Sequence, residues 1–367
     1  MADLLFSNVK VEALSCAVPK HVQEINTDPS DPKYAYHKSF IRQIGISKRH
    51  ISVTGQTCTD TGFVAVKAAL EKANLSVKDI DAIVFMSQTP DFNPGTSNAF
   101  LLHHRLGLKE TAFAYDITLA CSSFNFGLSV CAGYLQQQDI HTVLMVSGDT
   151  QWSLYKNRQE LENDDVFLGG EATTAMVLSD RGTKEFNLSL FSNGSGYKYL
   201  FGPTEGERNK WNQYKFSLDT PDGNKEITGR YMDGLEITSF ATTTVVESIK
   251  SFLEKRKLSE VDYDGLVLHQ ANKQIIKTIG RRLGFSSDKV PSSLSEYANT
   301  DGASIPVTII TEYANKGLSN ELHLLTAGFG TGLSWGISDF YISPSVLLPV
   351  IEVEDDRYHD SVMKIKE

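Results

Sequence analysis

No run of apolar residues in the 367-residue sequence approaches the length of a membrane span, so no membrane association is expected. Cysteine is scarce. The four present, Cys16, Cys58, Cys121 and Cys131, have neither metal-site spacing nor the density of a disulfide framework, which fits a reducing, cytoplasmic compartment. Excess positive charge is also missing. Lys and Arg number 35 against 45 Asp and Glu, a net charge of −10 that argues against nucleic acid as the main partner. It argues against an acidic protein partner too, unless basic residues cluster locally. The opening MADLLFSNVKVEALSC lacks a basic stretch ahead of an apolar one, so no secretory signal is expected. With 41% hydrophobic and 22% charged residues and no low-complexity tract, the chain is not disordered and is long enough for two domains.

What the chain has instead is a copy of itself. LEKANLSVKDIDAIVF, residues 70–85, and LEKRKLSEVDYDGLVL, residues 253–268, share eight of sixteen positions at an offset of 183. Each begins with helical spacing (Val66, Ala69, Leu70; Val246, Ile249, Leu253), turns, and enters an apolar strand. HRLGL from His104 answers RRLGF from Arg281 at an offset of 177, and VLMVSG from Val143 resembles LHLLTAG from Leu322 at an offset near 180. One such match between amphipathic units is compatible with chance; three in the same order are not. A period near 180 is too long for a solenoid. It implies two homologous α/β halves, with strands and helices alternating in each.

The repeat also places polar residues. Cys121 closes a strand-like stretch, residues 112–120, and opens a helix-like one that runs to Gln138. A helix N-terminus and a nearby imidazole would lower its pKa and favour the thiolate. The competing reading is a small buried hydrophobe, the ordinary role of cysteine and the one assigned to Cys16, Cys58 and Cys131. An offset of 178 from Cys121 lands on Asn299 in EYANTDGASIP, and 183 from Met86 lands on His269 in GLVLHQAN. His269 leaves a buried strand and is a candidate base or oxyanion donor, or a satisfied polar residue at a strand end. Asn299 lies in a turn-rich string, where asparagine needs no function, but an amide there could donate to an enolate oxygen. His103 and His104 face different ways on a helix, so no metal site is expected there. GFGTGLSWG, residues 328–336, lacks dinucleotide-loop spacing and reads as a tight strand-to-strand turn, either a plain hairpin or a source of exposed N–H groups.

Cys in DITLACSSFNFG, His in HQAN, Asn in ANTDGASIP and the closing GFGTGLSWG, in that order, resemble β-ketoacyl-acyl carrier protein synthase III and its relatives in the thiolase superfamily. YMDGLEITSFA, residues 231–241, and IGISKRHI, residues 44–51, are similar to family segments, and the likeness covers roughly residues 5–341. It implies a thiolase-like five-layered αβαβα fold from two homologous halves. The expected units are 1–205 (the half with the Cys nucleophile), a connecting loop 206–229, 230–345 (the half with His and Asn) and an acidic tail 346–367. A homodimer is also implied, as is a substrate thioester of coenzyme A or of acyl carrier protein phosphopantetheine, with no metal or bound cofactor.

By resemblance, Cys121 is the nucleophile that takes an acyl group, and the N–H groups of Cys121 and Thr331 form the oxyanion hole. His269 and Asn299 hold the malonyl thioester carbonyl through a decarboxylative Claisen condensation. Substrate contacts are expected at Phe92, Asn93, Met232, Asn272, Phe329 and Gly330. The family's acyl-pocket aromatic, donated across the dimer, falls near Phe92 or Asn93. Several positions depart from the pattern. Ser39 and Gln43 stand where a Trp and an Arg usually hold the coenzyme A adenine, Gln274 where a basic residue is common, and Thr331 where a glycine is usual. Together they point to a specialised pathway. Lys273, Lys277 and Arg281 recur every fourth residue along one helix face, with Arg282 beside them, as a docking stripe for an acidic acyl carrier protein or as an ordinary solvated face. Acyl transfer to a hydroxyl or amine without condensation, and a non-catalytic partner subunit, are the alternative functions.

Overall fold

Six of the eight identities shared by residues 70–85 and 253–268 are residues that shape the chain. The computed structural model describes residues 2–92, 96–150, 167–202, 215–220, 223–227, 231–355 and 357–358. In it the helices Cys58–Ala73 and Val246–Arg256 end on residues in the left-handed region, Asn74 (φ 53°) and Lys257 (φ 55°). The Leu75 amide returns to the Leu70 carbonyl (3.0 Å) and the Leu258 amide to that of Leu253 (3.1 Å), which closes each helix. Ser76 and Ser259 then open short 3₁₀ turns, Val77–Asp79 and Glu260–Asp262, each in reciprocal bonds with the Asp three residues on. A second Asp pins the start of a neighbouring strand. Asp81 accepts from the amides of His141 (2.9 Å) and Thr142 (3.1 Å), and Asp264 from that of His323 (2.7 Å). Val84 and Val267 follow into the core.

The strand order repeats as well. One sheet runs Ile351–Val353, Lys10–Pro19, Thr173–Ser179, Thr142–Gly148, Ala82–Met86, Phe113–Ile117; the other runs Ala2–Phe6, Phe186–Ser192, Ser334–Ile342, Leu322–Gly330, Gly265–Leu268. In each half the opening strand lies antiparallel to the last, the last antiparallel to its predecessor, and that one parallel to the half's second strand. The second half has no counterpart of Phe113–Ile117 among the described residues. Residues 291–293, at the matching offset of 178, form no strand, and Pro291 has no N–H to give a ladder.

Strand residues alternate between two buried faces. Val143 and Met145 face the layer between the sheets, while Leu144 and Val146 face the helices outside. Cys58–Ala73 and Asn98–Leu106 cover the first sheet's outer face, and Val246–Arg256 and Lys273–Arg282 the second's. Ser123–Tyr134 and Ser304–Tyr313 fill the middle. This is the five-layered αβαβα arrangement expected from the sequence.

The unit boundaries do not follow sheet membership. Phe186–Ser192 lies within the expected first unit, 1–205, yet pairs in the second sheet. The strand that opens each half precedes the repeated markers and carries no signal of its own. The chain ends are exchanged: Ala2–Phe6 extends the second sheet, and Ile351–Val353, in the expected tail, extends the first. Within the expected connecting loop the described residues form a hairpin, Phe216–Thr220 with Gly223–Ile227.

Asn125 joins the halves. It is fully buried on the central helix Ser123–Tyr134. Its Nδ2 donates to Thr326 Oγ1 (3.0 Å) and Ser338 Oγ (2.9 Å), and its Oδ1 accepts from the Gly328 amide (2.8 Å). All three partners belong to the second sheet. Asn125→Ala removes the three bonds to the second sheet, that of the Gly328 amide included, and should cost about 1–3 kcal/mol, read as a lower thermal unfolding midpoint. Ser129→Ala, on the same helix, loses only a bond to the Phe126 carbonyl and should change little.

Candidate functional site

Cys121 lies in the turn that leads from Phe113–Ile117 into the central helix, just ahead of the N-cap Ser122. The Ser122 hydroxyl bonds that of Ser334 (2.7 Å), which ties this turn to the opposite sheet. Gly330 faces Cys121 so closely that a Cβ there would lie 2.6 Å from the Cys121 Cβ and 2.9 Å from its sulfur, so only glycine fits. The turn at residues 331–333 joins Leu322–Gly330 to Ser334–Ile342, as the sequence suggested. The N–H groups of Cys121 and Thr331 have no oxygen acceptor among the described residues.

Asp301 of the second half contacts Cys121, and Asn299 and His269 are each bonded to Asp301. The Asp301 carboxylate accepts a hydrogen bond from Cys121 Sγ (3.3 Å). The Asp301 amide donates to Asn299 Oδ1 (2.9 Å), and Ser304 Oγ donates to the same oxygen (3.3 Å). With its oxygen occupied twice, the Asn299 amide is oriented and its NH₂ is left to donate. A loop from the first half holds the Asn299 backbone: its N–H donates to Leu168 O (3.0 Å) and its carbonyl accepts from Gly170 N–H (2.9 Å). His269 leaves the strand Gly265–Leu268, its amide bonded to Ala327 O (2.9 Å) and its ring edge-on to Phe329 at 5.6 Å. Its Nδ1 is buried without a partner among the described residues.

Burial dominates the electrostatics. It holds the His269 imidazole down at about 4, against the opposing pull of the Asp301 carboxylate and a bond to the Asp301 backbone. It pushes the Cys121 thiol well up, and the charge and hydrogen bond of Asp301 add to that push. A resting thiolate, expected from the helix N-terminus and the imidazole, is therefore not what the surroundings favour. A helix end contributes about 0.3–1 kcal/mol, too little to offset burial beside a carboxylate. The Cys16, Cys58 and Cys131 thiols are also pushed up by burial, in line with packing roles. What sets Cys121 apart is partial exposure and its contact with Asp301.

The sequence reading passed over two carboxylates. Asp301 lies 180 residues after Cys121, inside the drift of the repeat offsets, in the left-handed region at φ 47°. Asp149, just past Thr142–Gly148, accepts from Gln88 N–H (2.7 Å), Ser87 Oγ (3.0 Å) and Thr89 Oγ1 (3.2 Å). Burial first, and the Asp301 charge second, push it up to about 7.

The remaining expected contacts scatter. Phe329 and Gly330 belong to the cluster. Asn272 is the N-cap of Lys273–Arg282, its side chain accepting from the Ile275 amide (2.8 Å). Met232 pairs in a short ribbon with Leu200 and is half exposed, Phe92 is 42% exposed, and Asn93 lies outside the described residues. Lys273, Lys277 and Arg281 line a cavity of about 640 Å³ with Gly45, Ile276 and Phe285, whereas Arg282 turns away to the Thr242 carbonyl. Ser39 and Gln43, on the nearby helix Tyr34–Ile44, bond each other (3.1 Å).

Residues 115–194 match the 3-oxoacyl-[acyl-carrier-protein (ACP)] synthase III family, and residues 253–340 its C-terminal region. The beta-ketoacyl-[acyl-carrier-protein] synthase III of Clostridium perfringens is 34% identical over 301 residues, covering 80% of this chain and 86% of its own length. That of Synechocystis sp. is 34% identical over 302 residues with the same coverage. The solved 3-oxoacyl-(acyl-carrier protein) synthase of Burkholderia xenovorans LB400 superposes with a TM-score of 0.84 at 25% identity, over 96% of this chain and 99% of that one. The Thermus thermophilus synthase III structure gives 0.74 at 25% identity, over 91% and 99%.

A lowered pKa means that His269 loses its proton only in acid, near 4, and stays neutral above that. Its ring resonances in an NMR titration should therefore stay constant from roughly pH 8 to pH 5. A midpoint near the ordinary histidine value would contradict this account of the pocket.

Proposed function

We propose, from the premise that this chain belongs to the 3-oxoacyl-[acyl-carrier-protein] synthase III family, that it joins an acyl group carried on Cys121 to the carbanion left when a malonyl thioester loses carbon dioxide. An acyltransferase of the condensing kind on a thiolase-like fold is what that membership means. The assignment of steps to residues rests on geometry. Cys121 sulfur attacks the acyl thioester, and the N–H groups of Cys121 and Thr331, which have no oxygen acceptor among the described residues, receive the developing oxyanion. The acyl group stays on sulfur while the first thiol leaves. The malonyl thioester then enters, and its carbonyl oxygen takes hydrogen bonds from the Asn299 NH₂ and from the N–H of the neutral His269 ring. As the carboxylate departs, these donors stabilise the enolate, whose carbon attacks the acyl-Cys121 carbonyl.

One observation carries condensation over plain acyl transfer. The Asn299 amide is built to donate, its oxygen tied by Asp301 and Ser304. Transfer to a hydroxyl or amine needs no enolate donor, and a non-catalytic subunit would need none of the cluster. The substrates are read as thioesters of coenzyme A or of a carrier protein. A homodimer is supported by the half-exposed Phe92 and by the edge strand Phe113–Ile117, whose outer ladder has no partner among the described residues. The exchange of an adenine clamp for Ser39 and Gln43, bonded to each other, supports a specialised role over bulk starter synthesis.

Incubation with labelled malonyl-acyl carrier protein tests the reading. Carbon dioxide release together with an acyl mass increment on Cys121 is expected; an increment without release, chased off by an alcohol or amine, would replace condensation by transfer. Asn299→Ala should slow decarboxylation about 10²–10³-fold while sparing acylation. For the carrier protein, Lys277 and Arg281 are the exposed cations at the cavity mouth. Reversal of both to Glu should weaken transfer from the carrier protein and spare a small thioester; equal loss with both donors would remove docking from this face.

A further inference from the structure

The thiol of Cys121 keeps its proton. Burial and the adjoining carboxylate both oppose ionisation, and the helix N-terminus is too weak to reverse them. Nucleophilic attack from such a thiol needs a group that removes the proton as the new bond forms. The group in contact is Asp301, whose Oδ1 lies 3.3 Å from Cys121 Sγ. Its position is enforced. The backbone at Asp301 is left-handed (φ 47°), a conformation that Asp and Asn tolerate better than other residues with side chains. The amide is tied to Asn299 Oδ1, and Gly302 follows, where a Cβ would collide with Ser123 Oγ at 2.0 Å. The chain is thus drawn tightly against the turn that holds Cys121. Among the described residues, His269, bonded to the Asp301 backbone, and Asp149, whose carboxyl feels the Asp301 charge, are ionisable groups near this point.

We propose that Asp301 is a catalytic residue: the base that takes the Cys121 proton during acyl loading and returns it to the leaving thiol. This rests on the reading of Cys121 as acyl acceptor. The Cys121 S–H bond breaks as its sulfur bonds the thioester carbonyl carbon, and the proton passes to Asp301 Oδ1. When the tetrahedral adduct collapses, the bond from that carbon to the pantetheine sulfur breaks and the same proton goes to that sulfur. Acyl-Cys121, a free thiol and the Asp301 carboxylate result, with no net change at Asp301 and no further reactant. The contact then disappears, since acylated sulfur has no proton to donate, so loading itself releases the carboxylate from Cys121.

The test compares wild type, Asp301→Asn and Asp301→Ser in two reactions at Cys121, each followed by mass spectrometry across a pH series. One is loading from acetyl-, butyryl- or octanoyl-coenzyme A; the other is alkylation by iodoacetamide, which reports thiolate alone. Loss of the base should slow loading about 10²-fold or more, while alkylation shifts to lower pH because the carboxylate that retains the proton is gone. The opposite signs separate a base from a structural prop. Loading unchanged in both variants, or loading and alkylation slowed together, overturns the proposal. The wild type supplies a second measurement that needs no variant. Below its midpoint, alkylation should fall about tenfold per pH unit, whereas base-assisted loading should fall less steeply; parallel decline counts against Asp301. A wild type that takes no acyl group from any of the three donors, yet is alkylated normally at Cys121, refutes the acyl-acceptor reading instead.

Discussion

The buried carboxamide of Asn125 is the constraint on which the site depends. Apolar packing brings the two sheets together but does not fix how one slides on the other. Hydrogen bonds do, because they fail when distance and angle are wrong. Asn125 satisfies both ends of its amide on the second sheet while its helix begins next to Cys121. The Gly328 amide that it receives lies two residues before Gly330, the backbone against which Cys121 packs. The sulfur of one half is thereby registered against the loop of the other. Catalytic groups need positioning within about half an ångström, and this amide, with the Ser122–Ser334 bond, supplies directional ties between the halves close to the site.

A second consequence of burial is that the pocket is poor in charge. The imidazole is held neutral from above and the Asp149 carboxyl is pushed toward its protonated form from below. A neutral ring is suited to donating to an enolate oxygen, because it does not first have to give up a proton. The same dryness keeps Cys121 a thiol, which is why a carboxylate at its side changes what the sulfur can do. His269, Asp149 and Cys121 share one desolvated space, and burial is the first cause of the shift at each.

Much of this was legible in the sequence. The duplication could be read because its identities fall on caps and pins: Ser76 and Ser259, Asp79 and Asp262, Asp81 and Asp264 do the same local work twice. Cys121 and His269 could be read because each ends an apolar stretch, and Asn299 because it lies 178 residues after Cys121, within the repeat offsets. Asp301 was missed for a physical reason. An aspartate two residues past an asparagine in a turn is the ordinary composition of a turn, and its carboxylate reaches the sulfur only because φ is positive there. The repeat arithmetic did point at it, since the offset from Cys121 is 180, but arithmetic does not choose between neighbours. That Phe186–Ser192 pairs in the second sheet was not legible, because an opening strand is merely apolar and its partner, residues 334–339, lies far along the chain. Asn272 was expected at the substrate from the resemblance alone; its capping of the helix that follows was not read.

The exchange of chain ends has a consequence for synthesis. The edge of the first sheet is completed by Ile351–Val353, whose carbonyl at Val353 receives the Lys20 amide (2.9 Å), and the edge of the second by Ala2–Phe6. A nascent chain emerging from the ribosome can close neither lobe early. Ala2–Phe6 must wait for Phe186–Ser192, and Lys10–Pro19 keeps an open flank until Ile351–Val353 clears the exit tunnel. Throughout that interval two strand edges stand bare in a crowded cell, a natural foothold for chaperones or for a sister chain translated alongside.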